Sequence, residues 1–194
     1  MNQFSKLDNY NFVDELDNPT IEFFKENYQD KNIPCIIKNS GYKLNKEITG
    51  EIFAAELGAN EYIPYMNQSN PYTPEEVGVD IGNCKYLKAE VPEKLRHYYD
   101  VPKYFRDAKV QPQGWRWMYW GPGTTWTPLH KDVDNSHAWL YLVSGAKLWR
   151  YCYNDTVYTG VQKAGEISFT PGCLPHLAMN LETSFCVTHN YKEK

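Results

Sequence analysis

The sequence predicts a mostly β chain, with an antiparallel sandwich or barrel over residues 114–191 and a lead-in of mixed helix and strand over 1–113. Three observations predict it. From Gly114 onward the helical period disappears, and short aromatic and β-branched segments (WRWMYW, HAWLYLV, KLWRYCY, EISFT, SFCVTHNY) alternate with GPG, SG, ND, AG, PG and NLET. All six tryptophans (Trp115, Trp117, Trp120, Trp126, Trp139, Trp149) fall in that region, which marks it as the core sheet. At 194 residues the chain is long enough to bury a real core and cramped for two, so 1–194 reads as a single domain.

The elements follow in order. Asp17 or Asn18 is placed to cap a first helix with Pro19 in its first turn, and Ile21, Phe23, Phe24 and Tyr28 give it an apolar side. NIPCIIKN (32–39) reads as a buried strand. A second helix, about 46–57, carries Ile48, Ile52, Phe53 and Leu57 on one side and stops at Gly58. Residues 59–84 are rich in turn formers. EVPEKLRHYYDVPKYFRD (90–107) reads as a short helix broken by Pro102. There is no internal repeat or low-complexity tract.

Bulk properties exclude several functions. Twenty Lys and Arg against 24 Asp and Glu give a net charge of −4, so no whole-chain field draws the protein to nucleic acid. The five cysteines (Cys35, Cys84, Cys152, Cys173, Cys186) are odd in number and form no CxxC pair, which argues against a disulfide framework or a zinc knuckle. The N-terminus lacks a basic-then-apolar signal, and no run approaches the roughly 18 apolar residues a membrane span needs. The expectation is a soluble intracellular protein, cytoplasmic or nuclear, with no membrane and no nucleic-acid partner.

Within TPLHKDVDNSHAWL (127–140), His130 and Asp132 stand two residues apart in an extended stretch. They would share one face while Lys131 takes the other. An imidazole and a carboxylate suit a borderline divalent cation, and a second histidine would complete a two-histidine, one-carboxylate set of the non-haem iron type. Alone, the pair also fits a hydrogen-bonded couple on a strand surface. In AGEISFTPGCLPHLAMNLETSFCVTHNY (164–191), a hairpin about NLETS sets His176 opposite Thr188, with Ala178, Cys186 and Asn190 on its face. A one-residue slip would reverse that face. In HAWLYLVSGAKLWRYCY, a turn at Ser144-Gly145 sets Lys147 opposite Leu142, sharing a face with Leu140, Trp149 and Tyr151. A lysine there either snorkels to solvent or is buried among apolar walls. No acidic residue occupies the positions paired with it, so a buried Lys147 asks for an anionic ligand.

Together, GPGTTWTPLHKD, WLYLVSGAKLWR and AGEISFTPGCLPHLAMNLETSFCVTHNY resemble the Jumonji C (JmjC) family of Fe(II)- and 2-oxoglutarate-dependent oxygenases. NIPCIIKN and YLKAEVPEKLRHYYDVPKYFRD resemble the lead-in of its hydroxylase branch. The resemblance covers nearly the whole chain and is poor over 59–84. It implies a double-stranded β-helix, the jelly-roll or cupin barrel, flanked by N-terminal helices. By position it makes His130, Asp132 and His176 the catalytic Fe(II) triad and Lys147 the partner of the distal carboxylate of 2-oxoglutarate. Thr127, Thr188 and Asn190 match groups lining the cosubstrate pocket.

The implied activity is a dioxygenase that uses dioxygen, converts 2-oxoglutarate to succinate and CO2, and hydroxylates a protein side chain. Hydroxylation at an N-methyl carbon would give demethylation. A protein or peptide is the expected substrate; the alternatives are a small molecule or RNA nucleotide, or a non-catalytic cupin-like binding module. Three departures stand out: Leu140 where many relatives have an asparagine facing the cosubstrate, Leu174-Pro175 where an aromatic pair is usual, and only 28 residues between Lys147 and His176. The chain ends three residues after Tyr191, without the C-terminal helices related hydroxylases use to dimerise, so a monomer is expected. Tyr62, Tyr65, Trp117, Trp120 and Trp126 are candidates either for the pocket entrance or for packing.

Overall fold

A computed structural model of the chain describes residues 10–57, 87–107 and 115–193. The lead-in holds β1 (Tyr10–Phe12), β2 (Asp14–Asp17), α1 (Ile21–Phe24) running into a π-helical turn (Lys25–Gln29), β3 (Cys35–Lys38), α2 (Gly50–Leu57) and β4 (Leu87–Glu90). Two 3-10 turns follow, Glu93–Tyr98 and Lys103–Phe105. The remainder is β5 (Arg116–Gly121), β6 (Trp126–His130), β7 (His137–Ser144), β8 (Ala146–Tyr153), β9 (Thr156–Lys163), β10 (Ile167–Thr170), β11 (His176–Asn180) and β12 (Ser184–Tyr191).

These strands form a five-stranded sheet, β1-β9-β8-β11-β6, and a seven-stranded sheet, β2-β3-β10-β7-β12-β5-β4. From β5 the chain changes sheet at almost every connection: β5 in the larger, β6 in the smaller, β7 in the larger, β8 in the smaller. After the β8–β9 hairpin it alternates again through β10, β11 and β12. That alternation is the double-stranded β-helix the sequence predicts. Between the sheets lies a cluster to which both contribute, including Leu140, Leu142 and Cys186 from the larger and Trp149, Tyr151 and Ala178 from the smaller. The other face of the larger sheet is covered by the lead-in, where Phe24 meets Tyr104, Phe105 and Phe169 edge-on at ring distances of 5.6, 5.5 and 5.2 Å.

Both hairpin registers read from the sequence are wrong. β11 pairs with β8 and β6, and β12 pairs with β7 and β5, so His176 is not the ladder partner of Thr188. Likewise β7 and β8 do not pair; Lys147 stands opposite Asn180 and Gln162, and Leu142 opposite Cys186. The error has a simple physical source. Side chains on either side of a short loop alternate in the same way whether the chain folds back within one sheet or crosses to the facing one. Gly145 turns such a corner with φ +84, and a Cβ there would lie 2.4 Å from both Ser184 Oγ and the Thr183 carbonyl oxygen.

The helices are also shorter than expected. Thr20, not Asp17 or Asn18, caps α1: its hydroxyl accepts from the Phe23 N–H at 3.1 Å, while Asp17 ends β2 and the Asn18 N–H bonds the Lys38 carbonyl. Phe24 is buried and Phe23 is 48% exposed, because four α-helical residues cannot present a continuous stripe. α2 begins at Gly50, whose missing side chain admits the Trp120 indole; Ile48 and Phe53 are buried, and Ile52 faces outward. Its expected stop, Gly58, lies outside the described residues, as does the segment 59–84. Residues 90–107 form no α-helix, since Pro92 and Pro102 each restart the chain as a 3-10 turn. TVYTGVQK, not recognised in the sequence, is β9.

Candidate active site

His130 and His176 are cross-strand partners on β6 and β11. β6 is the outer strand of its sheet, a position where Pro128 costs the ladder nothing on its open side. Each histidine has its Nδ1 against a backbone carbonyl two residues earlier, Pro128 O at 2.8 Å and Leu174 O at 2.9 Å. A carbonyl only accepts, so each Nδ1 must carry the proton, and each Nε2 is left with a lone pair. Both Nε2 atoms face Asp132 Oδ1, at 3.6 Å from His130 and 4.0 Å from His176.

Asp132 arrives from the loop after β6 and not, as the two-residue spacing suggested, from the strand itself. The turn beyond it puts Asp134 and Asn135 at φ 52 and 51, a conformation that Asp and Asn tolerate better than other side chains. Ser136 secures the turn: its hydroxyl donates to the Val133 carbonyl at 2.7 Å and accepts from Asn190 Nδ2 at 3.0 Å. One ligand atom from each of His130, Asp132 and His176 lies within 4.8 Å of the others. Asp132 Oδ2 is buried without a hydrogen-bond partner in the protein. Burial works to raise the Asp132 pKa, but the polar side chains around it, His130 first, with His176 and Asn190, outweigh that and bring it below the ordinary carboxylate value. Burial lowers the His176 pKa and keeps that imidazole neutral. Two imidazoles oriented by backbone carbonyls, with Nε2 turned to a carboxylate that has an orphaned oxygen, fit a borderline divalent cation such as Fe(II).

The triad opens into a cavity of about 470 Å³, counted with its open mouth, between the sheets. All four other sequence-predicted site residues line it: Thr127 on β6, Lys147 on β8, Thr188 and Asn190 on β12. Lys147 is 1% exposed, so the buried reading holds and the solvent reading does not. Its ammonium donates to Asn180 Oδ1 at 2.6 Å, and burial lowers its pKa. Thr188 donates its hydroxyl to the Trp139 carbonyl at 2.7 Å, which turns its lone pairs to other donors. Leu140 also lines the cavity, so an apolar surface stands where the family resemblance expects an amide.

Several cavity residues were not read from the sequence as site residues. Tyr119 and Thr170 come from strands whose inner positions look like ordinary sheet residues. Trp149 was placed on the correct face, and its indole N–H is held by buried Gln162 at 2.8 Å, whose amide in turn donates to the Leu140 carbonyl at 2.9 Å. Trp117, Trp120 and Trp126 are not among the described lining residues. Trp117 instead stacks under the Lys88 ammonium at 5.3 Å, and Trp120 packs on Gly50. Tyr62 and Tyr65 lie outside the described residues.

No family model matches the chain. Curated relatives do. The arginine-specific demethylase JMJ22 of Arabidopsis thaliana is 26% identical, covering 94% of this chain and 44% of the relative. The 2-oxoglutarate and iron-dependent oxygenase JMJD4 of Danio rerio is 27% identical over 56% of this chain and 36% of its own length. The bifunctional arginine demethylase and lysyl-hydroxylase psr-1 of Caenorhabditis elegans is 23% identical over 90% and 59%. The chain therefore spans roughly a third to three fifths of the length of these relatives. Among solved structures, oxalate decarboxylase of Bacillus subtilis aligns with a TM-score of 0.37 at 19% identity, over 40% of this chain and 21% of that one.

Proposed function

We propose that this chain, similar along most of its length to JmjC-type 2-oxoglutarate and iron-dependent oxygenases, is itself such an oxygenase and hydroxylates a protein side chain. One observation carries the reading: a His-Asp-His set and a buried ammonium line the same cavity. A 2-oxo acid with a distal carboxylate needs both, a metal to chelate at one end and a cation at the other. A metal cupin without a 2-oxo acid has no use for Lys147.

Bound Fe(II), with 2-oxoglutarate and dioxygen, would supply the oxidant that hydroxylates a C–H bond while 2-oxoglutarate becomes succinate and CO2. The chain's own groups do the rest. His130, Asp132 and His176 would hold the metal. Lys147 takes the distal carboxylate by a charge-assisted hydrogen bond. Thr127, Thr188 and Asn190 line the cosubstrate's position, and Leu140 and Trp149 limit water beside it.

A protein substrate is favoured because relatives are named for arginine demethylation and lysyl hydroxylation. Residues 1–194 are taken as one domain, with the barrel over 114–191 and the lead-in packed on it. The four described cysteines are all free thiols, which supports a reducing intracellular setting, cytoplasm or nucleus. Among the described residues no helix is long and apolar enough to cross a membrane.

The test is anaerobic. Fe(II) followed by 2-oxoglutarate should give the visible charge-transfer band of the chelate in the wild-type protein, and Lys147→Ala should lose it at the same ligand concentration. Metal binding without the band in the wild type would overturn the reading in favour of a non-catalytic or different metal-binding module.

A further inference from the structure

We infer that Asn180 is a positioning residue for the cosubstrate: it aims the Lys147 ammonium into the cavity and does so without neutralising it. The inference rests on the role proposed for Lys147. Asn180 ends β11 directly opposite Lys147 on β8, is 1% exposed, and accepts from the ammonium at 2.6 Å. It does not itself line the cavity. It stands behind the cation that does.

Which end of the amide faces Lys147 is decided by its neighbours. The Thr125 hydroxyl gives its one proton to the Pro122 carbonyl at 2.6 Å. Its oxygen can then only accept, and it does so from Asn180 Nδ2 at 2.9 Å. The Gly121 carbonyl takes the same amide nitrogen at 3.2 Å. Two backbone bonds, Asn180 N–H to Thr125 O and Thr124 N–H to Asn180 O, both at 2.8 Å, tie the end of β11 to the β5–β6 turn. With every donor committed to that turn, the amide oxygen is the end left for Lys147. Flipping it would set two donors against each other.

The choice of an amide has a chemical meaning. A carboxylate at this place would form a buried ion pair with Lys147 and compete with an incoming carboxylate for the same charge. An apolar residue would leave the long lysine stem without a fixed end. An amide orients the cation without adding a negative charge beside it, which is the arrangement a preorganised anion subsite needs.

The discriminating measurement compares two ligands on the Fe(II)-loaded protein without oxygen: 2-oxoglutarate, and 2-oxobutyrate, which has the same chelating end and no distal carboxylate. In Asn180→Asp the affinity for 2-oxoglutarate should fall at least about tenfold, the worth of one charge-assisted contact, while that for 2-oxobutyrate stays within about twofold. Thr125→Val, which keeps Asn180 and frees its amide to flip, should lower the same ratio by about threefold. It decides the matter if Asn180→Asp does not fold. Equal weakening of both ligands, or an unchanged ratio in both variants, would overturn the inference. A Lys147→Ala protein that keeps the wild-type ratio would show that the proposed role of Lys147 has failed first, and the inference with it.

Discussion

The two sheets of the barrel differ in how they are buried. In the seven-stranded sheet β12 is buried at all eight positions, because the cavity side meets the opposite sheet and the other side meets the aromatic layer of the lead-in. In the five-stranded sheet β8 alternates from Ala146 to Cys152, with Lys147, Trp149 and Tyr151 at its inner positions. The first is a wall fixed from both sides; the second is packed on one side only. Yet it is the smaller sheet that carries His130, His176 and Lys147, while the larger contributes the neutral Thr188 and Asn190. The two histidines of the proposed metal site and Lys147 thus sit on the singly packed sheet, Asp132 on the loop that leaves it, and the doubly packed sheet supplies shape.

That contrast can be broken in four ways. The largest effect belongs to the triad. Asp132→Ala should abolish metal affinity and turnover, exceeding the roughly 100-fold cost of losing a mere outer-shell partner, with a circular dichroism spectrum like that of the wild type. Substantial 2-oxoglutarate decarboxylation in that variant would remove Asp132 from the site. Next come the walls. Phe24→Ala, behind the larger sheet, should cost about 3–5 kcal/mol in denaturant unfolding, whereas Val161→Thr, at a 38% exposed position of β9, should cost about 0.5 kcal/mol or less. Comparable values for the two would show that the sheets are equally tolerant.

Lys147→Ala should weaken 2-oxoglutarate by about 2–5 kcal/mol in a binding titration and leave Fe(II) affinity near the wild-type value. An unchanged cosubstrate affinity would place the anion subsite elsewhere. The smallest effect, read over a single pH unit, concerns His189 in the doubly buried wall. Burial, with Arg116 adding to it, lowers its pKa to about 3, and the Tyr99 hydroxyl lies 2.8 Å from its Nε2. As pH falls below about 6.5 the unfolded chain takes a proton that folded His189 refuses until about pH 3. In that window it should therefore cost stability by up to about 1.4 kcal/mol per pH unit. His189→Gln should flatten the acid limb of the stability curve; an identical limb would mean the histidine does not control it.

The same difference in burial explains what the sequence made legible. KLWRYCY alternates because β8 has one wetter face, so Lys147 could be grouped with Trp149 and Tyr151, while the sequence left open whether that face points inward. The three residues of the proposed metal site, His130, Asp132 and His176, were singled out by chemistry, order and the family resemblance, and the fold brings them together. The pairings were not, since a corner such as Ser144-Gly145 and a true hairpin have the same alternation on either side. β9 escaped notice because Gly160 interrupts its pattern; a Cβ there would come within 3.0 Å of Val13 and 3.1 Å of Ile36, a contact made by strands far away in sequence. Asn180 looked like a turn residue, and only the positions of Lys147 and Thr125 around it reveal what it holds.

β11 lies between β8 and β6, so each of its neighbours is distant from it along the chain. His176 meets His130 only after the crossings through β7, β8, β9 and β10 have been made. A partly folded chain therefore owns half a metal site, and a cation that needs all three ligands discriminates sharply between that state and the finished one. By mass action such a cation stabilises closed barrels alone. Under the proposed function that cation is iron, and its supply would set the fraction of barrels that are closed.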